Sequence, residues 1–201
     1  MDPGRQARQA GAGGAYLKYH RDETYYQAAG WRATWEANGG GVLMNQGVHG
    51  IDLLQWMMGD IASTFAYTAP LVHNVPVEDT AVAVIKYESG AFGVIEGAIS
   101  VYPDQESRFE LHGSRGTIIF TDSGIKQWDV VDDQGNRVEY LNRDTSGTAF
   151  AQAHRTLIAD LIDAIRNDRE PLINGEEARK AVRVIRAIYE SSQSGKEIVL
   201  S

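Results

Sequence analysis

Between residues 61 and 142 the chain passes through seven short β-forming runs with no helical pattern between them: IASTFAYTAP, EDTAVAVIKYES, AFGVIEGAISVY, SRFELHG, GTIIFTD, IKQWDVV and NRVEYLN. Ser-Gly, Arg-Gly and Asp-Asp-Gln-Gly-Asn turn signals separate them. Strands joined without helical crossovers form an antiparallel meander. Helical patterns lie on either side, so the expected class is α+β: a large, mostly antiparallel open sheet with helices packed on one face. In TAVAVIKY, Ala81, Ala83, Ile85 and Tyr87 share one face and Val82, Val84 and Lys86 the other. Both faces are largely apolar. One is expected to pack on helices and the other on a partner sheet, giving a homodimer whose interface exceeds about 1,000 Å².

The stretch GGGVLMNQGVHGIDLLQWMMGD, residues 39 to 60, reads as a helix over about 42–58, with three glycines leading in and Gly59 leading out. It is apolar on most sides, which marks a buried helix. Yet it carries Asn45, His49 and Asp52, and buried polar groups are costly unless partnered. Asn45, His49, Asp52 and Trp56 fall at i, i+4, i+7 and i+11, along one helix face. A histidine can give or take a proton near neutral pH. Asn45 cannot be a base, but it can hold a hydroxyl or carbonyl. A lone helical histidine is more often a satisfied structural one, so both readings stand at this point. His49 and Asp52 would make only two metal ligands, so no metal site is expected. His112 and His154 read as structural, and His20 and His73 lie near loops.

After the sheet, Phe150, His154, Leu157, Leu161 and Ile165 recur at helical spacing. Pro171 closes that segment. A second helix follows, with Asn174 as N-cap, Glu177 completing a capping-box pattern and Gly195 as its stop. KEIVL reads as a last strand. Ahead of the first helix, AYLKYH at 15–20 reads as a short strand. Residues 21–40 read as a structured loop holding Tyr25, Tyr26, Trp31 and Trp35, either satellite core or a pocket wall. Residues 1–14 are expected to be a flexible leader, and 15–201 the domain. GAGGAY at 11–16 follows no strand and opens no helix, so it is not read as a dinucleotide loop.

A net charge of −8 and a pI near 5.1 disfavour nucleic acid or an anionic membrane as partner. With no cysteine, disulfides, thiolate metal sites and cysteine nucleophiles are excluded. No G-x-S-x-G elbow supports serine hydrolase chemistry. No apolar run approaches the roughly 20 residues of a membrane span, and the N-terminus has no signal-peptide core. A cytoplasmic protein is expected.

YYQAAGWRATWEANGGGVLMNQGVHGIDLLQWMMGD closely resembles the C-terminal domain of the glucose–fructose oxidoreductase / inositol dehydrogenase / MocA family. VEDTAVAVIKYESGAFGVIEG, RFELHGSRGTIIF and GEEARKAVRVIRAIYESSQSGKEIVL resemble later segments of the same domain, in the same order. The resemblance covers about residues 15–200. It implies a domain that works beside an N-terminal Rossmann domain, with NAD or NADP as cofactor of the full-length enzymes. Their reaction moves hydride between nicotinamide and a carbinol, usually of a sugar or cyclic polyol. The C-terminal domain would supply much of the substrate site and an open sheet for oligomerisation. The family's Asp-x-x-x-His pattern falls on Asn45 and His49, so His49 is the implied acid/base and Asn45 stands where an assisting Asp would. Tyr25, Trp31 and Arg32 fall in the loop that lines the substrate pocket, and Asp52 at a structural position. These 201 residues contain no strand–GxGxxG–helix unit and no Glu-Lys-Pro motif. Without a fixed nicotinamide the proximity contribution, about 7–11 kcal/mol, is missing. The chain by itself is therefore expected to bind no cofactor and to lack dehydrogenase activity, working only with a Rossmann half in cis or in trans. The alternative is a stand-alone, non-catalytic dimer that binds a small carbohydrate, or a protein partner through its sheet face.

Overall fold

The structure, a computed structural model, describes residues 10–27, 33–140 and 149–200, with the backbone alone at 10 and 149–151. Trp31 and Arg32 lie outside the described residues. The chain divides into two compact units: residues 1–139 with 181–201, and residues 140–180.

The first unit is built on an eight-stranded sheet: β1 (Ala10–Lys18), β2 (Ile61–Ala69), β3 (Thr80–Tyr87), β4 (Phe92–Ala98), β5 (Arg108–Gly113), β6 (Gly116–Thr121), β7 (Gly124–Val130) and β8 (Ile198–Val199). Two short helices, α1 (Glu23–Gln27) and α2 (Trp35–Asn38), follow β1. A π-helical turn (Leu43–Gly47) then runs straight into α3 (Val48–Met58). Strand order is β7-β6-β5-β1-β4-β3-β2-β8. The strands expected from residues 61 to 131 all form, but they do not make a simple meander. β1 sits between β4 and β5, parallel to β4 and antiparallel to β5. The remaining pairings are antiparallel. NRVEYLN forms no strand within the described residues, only an isolated bridge from Val131 to Arg137.

β1 also begins at Ala10, inside the stretch expected to be leader. Its start, AGAGG, has too few side chains to show a period-two pattern, so nothing local marks it as strand. Its stability comes from neighbours on both sides, with Ala12 opposite Phe92 of β4 and His112 of β5. The small residues have a use: a Cβ on Gly13 would lie 2.8 Å from Sδ of Met58. The bare backbone lets α3 seat on the sheet.

Burial in β3 alternates strictly, with Ala81, Ala83, Ile85 and Tyr87 inward. Ile51, Leu54 and Met58 of α3, and Val184, Ile185 and Ile188 of α5 (Gly175–Ser194), cover that inner face together with Leu17 and Ile95. Each full burial of such a side chain stabilises the fold by about 1.5–3 kcal/mol. The outer face carries Phe65 opposite Val84 and Val84 opposite Val94. Tyr67, Val82, Val84 and Phe92 are exposed there.

The second unit holds α4 (Ala149–Arg166) and the opening of α5. The Arg169 guanidinium bonds Asp160 at 2.8 Å and Asp163 at 2.6 Å, and the Leu172 N–H donates to Asp160 at 2.7 Å, which folds the 167–172 turn back on α4. Asn174 caps α5 as the sequence implies, accepting from the Glu177 N–H at 3.0 Å. The return half of the box is replaced by an ion pair from Glu177 to Lys180. Leu157, Ile158, Leu161, Ile162 and Ile165 are exposed, and so is His154, which the sequence reads as structural.

Candidate functional site

The site is built at the start of the helix that carries Asn45 and His49. Gly40 has φ 153°, and a Cβ on Gly41 would overlap the Glu78 carbonyl oxygen. Only glycine lets the chain pass this close. The contact brings the first N–H groups of the helix onto the buried Glu78. Its carboxylate accepts from the Gly41 N–H at 2.7 Å and the Leu43 N–H at 3.0 Å, and its carbonyl from the Val42 N–H at 3.0 Å. The Tyr189 hydroxyl adds a third donor to the carboxylate at 2.8 Å. A carboxylate here answers both the unpaired N–H groups and the dipole of a helix start. Burial pushes the Glu78 carboxyl above its ordinary range despite the donors from Leu43, Tyr189 and Gly41. Burial and the nearby Glu78 likewise push Tyr189 far up, so its hydroxyl stays a donor.

The expected helix over 42–58 is present, but its first turn is π-helical rather than α. Such single turns occur mostly inside α-helices and frequently at functional sites. This one holds both Asn45 and Gln46. Their amides donate to a single oxygen, the Tyr25 hydroxyl, at 3.0 and 2.9 Å. Consecutive side chains of an ordinary helix do not converge in this way. The Tyr25 ring packs edge-on to Tyr26, and the Arg21 guanidinium sits 5.6 Å from its centroid. Burial, with Asp79, Tyr25 and Glu78 nearby, pushes Tyr26 up to about 12. Of the other loop aromatics, Trp35 serves the core edge: its indole N–H donates to the Pro76 carbonyl at 2.8 Å and its ring meets Tyr189.

His49, Asp52 and Trp56 stand on the outward side of α3, all exposed, while Ile51, Leu54 and Met58 face the sheet. The helix is therefore amphipathic rather than buried all round, and the polar stripe is not tied off in the core. None of the described residues hydrogen-bonds the His49 ring. No group of three or more His, Asp or Glu among the described residues is placed to hold a metal. The structure thus brings Tyr25 and Asn45 together and leaves His49 open one turn further on. Trp31 and Arg32 lie outside the described residues. Sequence reasoning missed Glu78, Gln46 and the buried pair His73–Asp79. The acids of VEDTA were visible, but their partners are not local in sequence.

The GAGGAY stretch, glycine-rich like half a dinucleotide loop, does not fit the dinucleotide cofactor that the resemblance implies. GAGGAY is the inside of a strand paired on both sides, with Met58 against Gly13 and Val94 and Tyr16 against Gly14. A pyrophosphate cradle needs a loop with free N–H groups at a helix start, and here those groups are in the ladder.

The sequence matches the oxidoreductase family, C-terminal alpha/beta domain, over residues 15–200. This chain belongs to that glucose–fructose oxidoreductase / inositol dehydrogenase / MocA family. It is 26% identical over 171 residues to the myo-inositol 2-dehydrogenase of Thermotoga maritima, matching 80% of this chain and 49% of that protein. It is 22% identical over 182 residues to the D-apiose dehydrogenase of Paraburkholderia graminis, matching 79% and 44%. Among solved structures it is similar to the WlbA dehydrogenase from Bordetella pertussis in complex with NADH and UDP-GlcNAcA. That likeness has TM-score 0.81 and 30% identity, and covers 98% of this chain and 57% of that one. The chain thus spans about half the length of the curated relatives it matches.

Proposed function

We propose that these residues form the substrate-side half of an NAD(P)-dependent oxidoreductase acting on a sugar or cyclic polyol. His49 is the acid/base on the hydroxyl being oxidised, and Asn45 its hydrogen-bonding companion. The observation that carries this reading is the placement of the pair. Asn45 is fixed on Tyr25 by a 3.0 Å hydrogen bond, and His49 stands exposed on the same helix. His49 accepts the proton of the hydroxyl, and Asn45, which cannot ionise, orients it. Arg21 adds a cation to the Tyr25 wall, which favours sugar derivatives with an anionic group. The dehydrogenases similar to this chain support the substrate class.

Nucleotide binding belongs, on this reading, to a part lying outside these 201 residues, so the chain alone does not turn over. The test is reconstitution. The chain is mixed with a separately produced nucleotide-binding half of a relative, and a panel of sugars and polyols is assayed for NADH formation. A substrate is expected to emerge, and His49→Ala to lower its rate by about 10²–10⁴-fold. A full rate in His49→Ala would remove the acid/base assignment. No helix among the described residues is long and apolar enough to cross a membrane, and the proposed setting is the cytoplasm. The open sheet is proposed to pair with a second copy. Its outer face presents the row Phe65, Val84 and Val94, with Tyr67, Val82 and Phe92 beside it.

A further inference from the structure

We propose that His73, with both ring nitrogens carrying protons, acts as a tether that positions the Tyr25 segment beside Asn45, and that loss of one of those protons loosens the segment. The His73 side chain is 8% exposed and that of Asp79 0%. Both ring nitrogens meet acceptors: Nδ1 lies 3.2 Å from Oδ2 of Asp79, and Nε2 lies 2.9 Å from the Arg21 carbonyl oxygen. Neither oxygen can donate. Burial works to raise the Asp79 carboxyl, but the N–H groups of His73, Leu71 and Val72 and the Thr80 hydroxyl outweigh it and hold it below the ordinary range. It is a carboxylate at neutral pH.

A neutral imidazole has one N–H. Either tautomer would set a ring lone pair against an oxygen lone pair at these distances, where little water can intervene. Only the imidazolium satisfies both contacts. Among the described residues, the other groups near the ring are the Tyr26 ring of α1, 5.1 Å from centroid to centroid, and, bearing on Tyr26, the Arg21 guanidinium and Glu78. Tyr26 stays protonated throughout the range concerned, for its hydroxyl is pushed up to about 12.

The tether reaches the site by a short route. His73 holds the Arg21 carbonyl, Tyr26 packs on His73, and Tyr25, between them in the segment, receives the Asn45 and Gln46 amides. The functional meaning rests on the reading above, but the tether is measurable without substrate or cofactor. Hydrogen exchange of the full 201-residue chain is followed by mass spectrometry from pH 5 to 8.5, corrected for the intrinsic rate, with β3 amides as reference. Protection of residues 21–27 should fall on the order of tenfold or more, the equivalent of one charge-assisted hydrogen bond, while β3 holds. His73→Gln, whose donors do not titrate, should show no step. A flat wild-type profile, or a step that survives in His73→Gln and so belongs to the neighbouring His20, overturns the proposal. Should His73→Gln not fold, ¹⁵N shifts of the wild-type ring decide. Two protonated nitrogens while the segment is protected uphold the tether; a singly protonated ring with the segment still protected refutes it. A failed turnover assay with the tether intact would count against the enzymatic reading alone.

Discussion

Two adjacent acids, Glu78 and Asp79, face different parts of the site and titrate in opposite senses. Glu78 holds the helix start and Asp79 holds the turn at 71–73. Glu78→Gln puts an amide N–H₂ against buried N–H donors and should cost about 1–3 kcal/mol. The folded Glu78 is raised, so its contribution is complete below the unfolded value, about 4.3, and is lost as pH rises through the folded one. The deficit of Glu78→Gln should therefore shrink as pH rises from that value. The folded Asp79 is lowered, so its contribution holds above the unfolded value, about 3.9, and is lost as pH falls through the folded one. The deficit of Asp79→Asn should shrink on acidification. Urea midpoints of both variants between pH 3 and 7 check this, and parallel pH profiles would contradict it. That Asn45 and His49 share one helix was legible from spacing. The acids' roles were not, because Glu78 and Gly41 are 37 residues apart, and no local pattern says which N–H a carboxylate will reach.

At the scale of elements, the turn signals placed β2 to β7, and the apolar spacing placed α3 and α5. Turn chemistry and periodicity are local, so they survive in the sequence. The place of β1 did not, since strand order is a non-local property and AGAGG offers almost no side chains to read. The π turn was also hidden: one residue more in a turn leaves the composition unchanged. Packing differs sharply between the helices. Ile51 in α3 is 0% exposed and Leu161 in α4 is 50% exposed. Chemical denaturation should show Ile51→Ala costing about 2–5 kcal/mol and Leu161→Ala within about 0.5 kcal/mol of the wild type. Equal losses would mean that α4 is buried in solution. On the sheet, Val84 is 56% exposed at the centre of the apolar outer row. If that row is the dimer face, Val84→Lys should convert a dimer to a monomer by light scattering without altering the far-UV spectrum. A wild-type monomer at micromolar concentration would dispose of the interface.

For the whole molecule, the proposed function gives the Asn45–His49 helix the substrate side of an oxidoreductase, while the pairing of Gly13 and Gly14 inside β1 leaves that stretch no part in holding a nucleotide. The two observations agree if this polypeptide supplies the substrate wall and the proton acceptor, and another part supplies the nicotinamide. Isothermal titration of the purified 201-residue chain with NADH probes that division at its weakest joint. No saturable heat is expected up to millimolar NADH, with or without a polyol. A micromolar dissociation constant at one site per chain would contradict it, because a dinucleotide would then have found a cradle that β1 does not provide.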